Sequence, residues 1–384
     1  MNASIDFIST TIGDIADVIS GPFGSQLHES DYKDQGTPIV TVEHLSPYGL
    51  TTQNLPFVGD EDKERLNRYT LRKGDIVFSR VGSVDRCSLV SEKEEGWLFS
   101  GRLLRIRLNK NGKEMATLLS YIFQTNRFTH QVRSKAVGQT MPSLNNGIVK
   151  SLQVSIPRNS ELQKIYCDIL INVDQKINLL TKKKEALETY KKGLMQKIFS
   201  QELRFKREDG TDYPEWESKV LSEVAEIQKG KQLNKLDMDE NGAYPVLNGG
   251  INWSGFTTSY NTLANTIAIS EGGNSCGYVS FVTTDFWSGG HNYTLELQND
   301  LEVKYLYHFL KYKEVDIKSL RVGSGLPNIQ KKDLKRFFCD IPCLEEQRSI
   351  IYILDNLDSQ IDITTKKIDS SERMKKGLLQ QMFV

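Results

Sequence analysis

"YKKGLMQKIFS" (Tyr190–Ser200) and "MKKGLLQQMFV" (Met374–Val384) are nearly the same eleven residues, written once mid-chain and once at its end. Internal repetition is sought first because it decides the whole architecture. Shifted by 184 positions, the two copies stay in register without a gap from Gln163/Gln347 onward. In that span 16 of 38 aligned pairs are identical, among them Ile169/Ile353, Asp174/Asp358, Ile177/Ile361 and Lys192/Lys376. That density is far above chance, so the repeat is a duplication rather than a shared helix composition.

The repeat reaches upstream. "VGQTMPSL" (Val137–Leu144) matches "VGSGLPNI" (Val322–Ile329), and each copy then arrives at Ile-Pro, Ile156-Pro157 and Ile341-Pro342. "GDIADVISG" (Gly13–Gly21) resembles "SEVAEIQKG" (Ser222–Gly230), and "DIVFSRVG" (Asp75–Gly82) resembles "TIAISEGG" (Thr266–Gly273). The chain reads as two tandem copies of one unit, each a variable mixed domain followed by a long helix: 1–157 and 158–200, then 201–342 and 343–384.

From Glu161 to Ser200 there is no proline, and Tyr166, Leu170, Val173, Ile177, Leu180, Leu187, Tyr190, Leu194 and Ile198 recur in steps of three and four, with Lys184 filling the one gap. This is a helical seam. The second copy places Ile350, Leu354, Leu357, Ile361, Thr364, Ile368, Ser371, Met374, Leu378 and Met382 in the same register. Forty helical residues span roughly 60 Å, too long and too narrowly apolar for a small domain to cover. The helices are expected to pair antiparallel with each other, giving a pseudo-twofold axis. Leu180 and Leu187 answer Thr364 and Ser371, which favours unlike pairing. Lys182–Lys184, Lys191, Lys192, Lys366, Lys367, Lys375 and Lys376 read as a solvated face. Gly193 and Gly377 cost about 1 kcal/mol each inside a helix, so their repetition points to close backbone packing, against the paired helix or another subunit. With Leu194 and Leu378 they are the candidate partner-binding positions.

The fold class is α+β: two similar mixed α/β domains with two long antiparallel coiled-coil helices. Strands are expected at Asp75–Ser79, Arg102–Leu108 and Leu152–Ile156, and at Thr266–Ser270, Tyr278–Val282, Tyr293–Leu297 and Phe337–Ile341. Short helices are expected at Lys113–Thr125 and Val303–Tyr312. Turn clusters GPFG, LNGG, EGGN and SGGH separate them.

Matched loop positions carry different chemistry. "RVGSVDR" follows Ser79 and "EGGNSCG" follows Ser270, so Arg80 answers to Glu271 and Ser83 to Asn274. Arg suits guanine, Asn or Gln suits adenine, and Glu accepts from cytosine. Two like frames with unlike tips suit two different short DNA sequences; loop divergence after duplication is the plain alternative. Candidate DNA contacts in the first domain are Arg80, Ser83, Arg86, Arg102, Lys135, Gln139, Thr140, Ser143 and Asn145. In the second they are Lys229, Lys231, Glu271, Asn274, Ser275, Arg321, Ser324, Asn328 and Gln330. Arg105, Arg107, Arg127 and Arg133, with Lys235, Lys331 and Lys332, add phosphate-binding charge. The Gly-x-x-(Met/Leu)-Pro-x-(Leu/Ile) segments read either as proline-fixed turns closing each domain or as backbone amides presented to phosphate.

Composition narrows the rest. The 384 residues are 38% hydrophobic and 26% charged with zero net charge, which tells against a generic polyanion binder but leaves room for local basic surfaces. No apolar run approaches the ~18 residues of a membrane span, and the first residues have no signal-peptide pattern. Five cysteines without CxxC spacing suit a reduced, cytoplasmic protein. Scattered histidines give no zinc spacing. P-loop, GxSxG, HExxH and methyltransferase signatures are missing, so the chain is read as non-catalytic.

The endings KKGLMQKIF and KKGLLQQMF, GQTMPSL and GSGLPNI leading to Ile-Pro, and the linker "RFKREDGTDYPEWESKVLSEVAEI" (Arg204–Ile227) together resemble the DNA specificity subunits of type I restriction-modification systems, over essentially the whole chain. The resemblance implies two target recognition domains, each reading half of an asymmetric bipartite sequence in double-stranded DNA, with the helices setting the spacer. It implies two methyltransferase subunits docked on the helices, bringing S-adenosylmethionine, and restriction/translocase subunits using ATP and magnesium, with no cofactor in this chain. Readers on one face of B-DNA sit about 34–36 Å apart, within reach of helices that long. The competing readings are a coiled-coil adaptor whose variable domains bind protein or carbohydrate, and an enzyme acting on DNA by itself.

Overall fold

A computed structural model describes residues 6–22, 26–110, 113–298, 301–323, 325 and 327–383. Compactness divides the chain differently from the four segments read in the sequence. Unit 1 is Met1–Lys182 with Thr365–Val384, and unit 2 is Lys183–Thr364. Each unit therefore holds one mixed domain and part of both long helices.

The two mixed domains repeat one topology. In unit 1, Phe7–Thr11 pairs antiparallel with Gln153–Pro157, joining the domain's first strand to its last. A four-stranded antiparallel sheet follows, in the order Ala16–Ser20, Leu103–Leu108, Ile76–Ser79, Cys87–Leu89. In a smaller sheet Thr37–Val40 lies between Phe57–Val58 and Leu98–Phe99. Unit 2 repeats each: Glu217–Val220 with Phe338–Ile341; the order Ala225–Lys229, Asn292–Leu297, Thr266–Ser270, Val279–Val282; and Tyr244–Leu247 between Gly255–Thr257 and Trp287–Ser288. In both small sheets one pairing is antiparallel and one parallel.

The central strand Ile76–Ser79 is buried along its whole length because both its faces are covered. Ile76 and Phe78 join one core with Leu104 and Ile106, while Val77 joins another with Val40, Phe99 and Leu103. That is strand alternation with an apolar partner on each side. Ile267 and Ile269 against Ala268 repeat it in unit 2. Gly21 and Gly230 mark matched close approaches: a Cβ there would lie 2.1 Å from the carbonyl oxygen of Ser100 or of Gly289.

The long helices run Ser160–Phe199 and Leu344–Met382. Among the described residues no helix is long and apolar enough to cross a membrane. Within each unit the helix segments run antiparallel. In unit 1 Tyr166 meets Phe383 edge-on at 5.7 Å, and Asp174 Oδ1 meets Lys375 Nζ at 2.7 Å. In unit 2 Lys191 Nζ meets Asp358 Oδ1 at 2.5 Å. Lys191 and Lys375, Asp174 and Asp358 are the same repeat positions, so each unit holds the same ion pair with the roles of the two helices exchanged.

The repeated ending is a plug. Leu379, Met382 and Phe383 enter the main core of unit 1, and the matching Met195, Ile198 and Phe199 enter that of unit 2. Phe199 packs against Phe309 and Tyr312 at 5.5 and 5.3 Å. Burying a side chain of this size contributes about 1.5–3 kcal/mol, so each helix is fastened at its tip to the domain it does not follow in sequence.

Three sequence expectations are corrected. Tyr190 and Met374, read as seam residues, are 61% and 46% exposed. Lys191 and Lys375, read as solvated, take the inward position one residue on, because Asp358 and Asp174 lie opposite as charge partners. Gly193 and Gly377 do not serve close packing between the paired helices, since a Cβ at either would meet nothing within 4 Å among the described residues. Leu194 and Leu378 are partly buried against the cores of their own units.

The linker after the first helix folds onto the start of the second. Glu346 is fully buried and accepts from Arg204 Nη2 at 2.8 Å and Nε at 3.2 Å, and from Trp216 Nε1 at 2.9 Å. A buried carboxylate held by three N–H donors from two side chains fixes the linker against the helix.

Candidate nucleic-acid interface

In each unit the strand tip, the loop after it and the Gly-Pro segment are tied by the same backbone bonds. Arg80 N–H donates to Arg102 O at 2.9 Å, and Leu144 N–H donates to Arg80 O at 2.8 Å. In unit 2 Glu271 N–H donates to His291 O and Ile329 N–H to Glu271 O, both at 2.8 Å. Bridges Val81–Ser143 and Val137–Ser143 answer Gly272–Asn328 and Val322–Asn328. The backbone frame is thus common, and its side chains differ: Arg80 against Glu271, Arg102 against His291, Ser143 against Asn328, Asn145 against Gln330.

Several candidates hold the frame rather than face outward. Arg80 donates from Nε to Leu144 O at 3.3 Å and from Nη1 to Gly101 O at 3.2 Å. Glu271 is 8% exposed, and its Oε1 accepts from Lys229 Nζ at 2.7 Å and Tyr293 OH at 2.9 Å. A carboxylate so occupied is a poor acceptor for a cytosine amine. Burial, then Glu271 beside it, pushes the Tyr293 hydroxyl well above its ordinary pKa. Ser275 donates to Gly249 O, which also accepts from Ser270 Oγ at 2.6 Å. Asn145 Oδ1 caps the helix Asn146–Lys150 by accepting from Ile148 N–H at 2.8 Å. Ser143 Oγ donates to Val137 O, and Lys135 Nζ to Ser151 O. Arg107 is a bidentate partner of buried Asp75, Arg105 is 6% exposed, and Arg133 pairs with Asp85; none of these three is a free phosphate contact.

The outward set is smaller. Ser83, Arg86, Arg102, Gln139 and Thr140 in unit 1, and Lys231, Asn274, Arg321, Asn328 and Gln330 in unit 2, are exposed. Their side chains make no hydrogen bond or ion pair among the described residues. Ser324 lies outside the described residues. His291 is exposed at the place of Arg102; the sequence reading has no role for it, and its signal there is the SGGH turn cluster that holds it. Nor does that reading give Asn292 a role: its Oδ1 accepts from Gly249 N–H at 3.0 Å and so shapes the LNGG turn beside His291.

One histidine–carboxylate cluster sits elsewhere in unit 2. His308, Asp355 and Asp358 offer ligand atoms within 4.8 Å of one another. Lys304 and Lys191 already hold the two carboxylates, which makes this an ion-pair junction between domain and helices rather than a metal centre. Burial lowers the His308 pKa despite its hydrogen bond to Asp355.

The profile of the type I restriction modification DNA specificity domain matches residues 5–189 and 213–373. A type I specificity subunit of Mycoplasma pneumoniae is 34% identical over 175 residues, 44% of this chain and 45% of that protein. The MjaX type I restriction enzyme specificity subunit of Methanocaldococcus jannaschii is 27% identical over 90% of this chain and 85% of its own. Among solved structures, the S subunit of a type I restriction-modification system from M. genitalium overlays with a TM-score of 0.71 at 19% identity, over 100% of this chain and 98% of that one. The duplicated frame, the antiparallel helix segments and these matches agree: the chain belongs to the family of type I restriction-modification DNA specificity subunits.

Proposed function

We propose that each mixed domain reads one half of a bipartite duplex sequence, and that the chain supplies address rather than chemistry to its complex. The carrying observation is the common frame with unlike exposed tips: Arg102, Ser83, Gln139 and Thr140 on one, His291, Asn274, Asn328 and Gln330 on the other. Base readout in the major groove needs such polar sets on rigid supports, whereas an adaptor for protein or carbohydrate would have no use for two matched readers.

The chain itself is non-catalytic on this reading. Two methyltransferase subunits, bringing S-adenosylmethionine, dock on the long helices, where the twofold repeat offers two equivalent surfaces. Restriction/translocase subunits using ATP and magnesium complete the assembly in the cytoplasm. The helices set the spacer.

Sequencing of methylated DNA from cells carrying this chain with its methyltransferase tests the reading. A bipartite motif with two unlike halves is expected; methylation without sequence preference overturns it. Four residues added near Leu180 lengthen a helix by about 6 Å, on the order of two base pairs, and an unchanged spacer would refute the ruler role.

A further inference from the structure

The two units differ sharply in one place next to the reading loops. In unit 2 the segment after Asn328 and Gln330 forms the short helix Lys331–Lys335, followed by Arg336. Lys331, Lys332, Lys335 and Arg336 are exposed, as is Arg321 just before the bridge from Val322 to Asn328. None of these five side chains has an ion pair or hydrogen bond among the described residues. The acids nearby are few: Asp333 on the helix itself, Asp340, and Asp316, which already pairs with Lys313 at 3.4 Å.

The repeat gives an internal comparison. Leu334 and Val149 occupy the same buried place, and Phe337 O and Leu152 O accept the same backbone bond, from Leu221 N–H and Ile12 N–H. That register sets Lys331, Lys332, Lys335 and Arg336 against Asn146, Gly147, Lys150 and Ser151, and Arg321 against Ala136. Only Lys150 is a cation, and it faces Asp17 at 3.9 Å. Five cations without an ion-pair partner among the described residues are therefore a feature of one unit, on a frame that the other unit folds without them. Like charges crowded without partners are unfavourable in the free protein, and a polyanion relieves them.

We propose that Arg321, Lys331, Lys332, Lys335 and Arg336 form a ridge that binds duplex DNA phosphates, so that the second half-site carries the larger share of the salt-dependent binding. The proposal rests on the DNA-reading function given above and adds an inequality between the halves. Phosphate contacts hold the duplex in register while the adjacent Asn274, Asn328 and His291 face the bases.

The test compares the full-length chain with its K331Q/K332Q/K335Q variant, each assembled with methyltransferase subunits, on a duplex carrying the methylated motif across a potassium chloride series. Each lost phosphate contact makes the slope of log K against log salt shallower by about 0.9, so a change of about 2.7 is expected. The ranking of base-substituted duplexes should stay the same. A K135Q/K150Q variant in unit 1, whose lysines already have partners, should shift the slope by less than 1. An unchanged slope in the triple variant overturns the ridge. So does an altered base ranking at unchanged slope, which would make these lysines base readers, or lost subunit assembly at unchanged slope, which would make the ridge a protein-docking surface. If the unaltered complex shows no sequence preference, the underlying function fails instead, and the two failures are distinguishable.

Discussion

Replacing Asp174 by asparagine should destabilise unit 1 far more than the matching Asp358→Asn destabilises unit 2. Lys375 and Asp174 are 7% and 15% exposed in their side chains, whereas Asp358 is 41% exposed and its partner Lys191 14%. Tyr121 OH also donates to Asp174 Oδ2 at 2.9 Å, and the Lys375 ammonium lies 4.7 Å from the Tyr48 ring centre and 5.4 Å from that of Tyr121. Asp174→Asn leaves that ammonium buried without a counter-charge, a loss of about 3–5 kcal/mol for a pair of this kind. In the unit 2 pair water reaches the carboxylate, which is 41% exposed, so its loss should cost less than that of the unit 1 pair. For a unit of this size each kcal/mol moves the melting point by about 2–4 °C, so unit 1 should melt on the order of 10 °C lower. Hydrogen exchange resolved by peptide during urea unfolding assigns the loss to a unit. A third variant, Asp174→Leu with Lys375→Met and Tyr121→Phe, removes all the charges together and should recover most of the stability. Equal losses for the two asparagine variants, or a loss below about 1 kcal/mol for Asp174→Asn, would refute the assignment of Lys375 as a buried, partner-dependent cation.

Gly193→Ala and Gly377→Ala should each stabilise the free chain by about 1 kcal/mol, since helix propensity improves and the space is open; thermal melts check this, and weaker assembly of the same variants would assign the glycines to a partner subunit. Gly230→Ala should disrupt unit 2, because its Cβ would lie 2.1 Å from Gly289 O; proteolysis confined to unit 2 peptides is the readout. His308 has a folded-state pKa below its ordinary 6.5, so the unfolded state takes up the proton first. The stability it contributes is present above pH 6.5 and is lost as pH falls through the depressed value. Denaturation at pH 7.5 and 5.5 should show that slope, and His308→Gln should flatten it. Exchanging Arg86 and Arg102 for glutamine should alter one half of the methylated motif, and equal change in both halves would show that the units do not read independently.

The helices and the repeat were legible because their signals are local and long: a three-four apolar rhythm over forty residues leaves little room for another answer. Thr266–Ser270 and Val303–Tyr312 were legible with their observed limits for the same reason, as strong apolar segments between turn signals. Strands of two residues such as Leu98–Phe99 carry no period to read. The pairing of Phe7–Thr11 with Gln153–Pro157 is set by packing across a whole domain. Tyr190 and Met374 were misplaced because hydropathy ranks them above lysine, while the buried partner that makes lysine the better choice lies far along the chain. Arg80 and Glu271 were rightly seen as matched tips, but whether a polar side chain faces solvent or its own backbone depends on contacts such as Leu144 O and Tyr293 OH. Exposure, more than residue type, separates Arg102 from Arg107.

The crosswise plugs have a consequence for synthesis. Unit 2 is a single unbroken stretch, Lys183–Thr364, whereas unit 1 needs Thr365–Val384 to complete it. A chain emerging from the ribosome presents the first domain early, yet that domain lacks Leu379, Met382 and Phe383 until the second domain and its helix have been made. The half encoded second can therefore mature first, and the half encoded first must wait with an open core. A stop codon just before Leu379 would fall on the earlier-made of the two domains, and exposure of its unplugged core to chaperones would rise long before any defect reached the domain next to the stop.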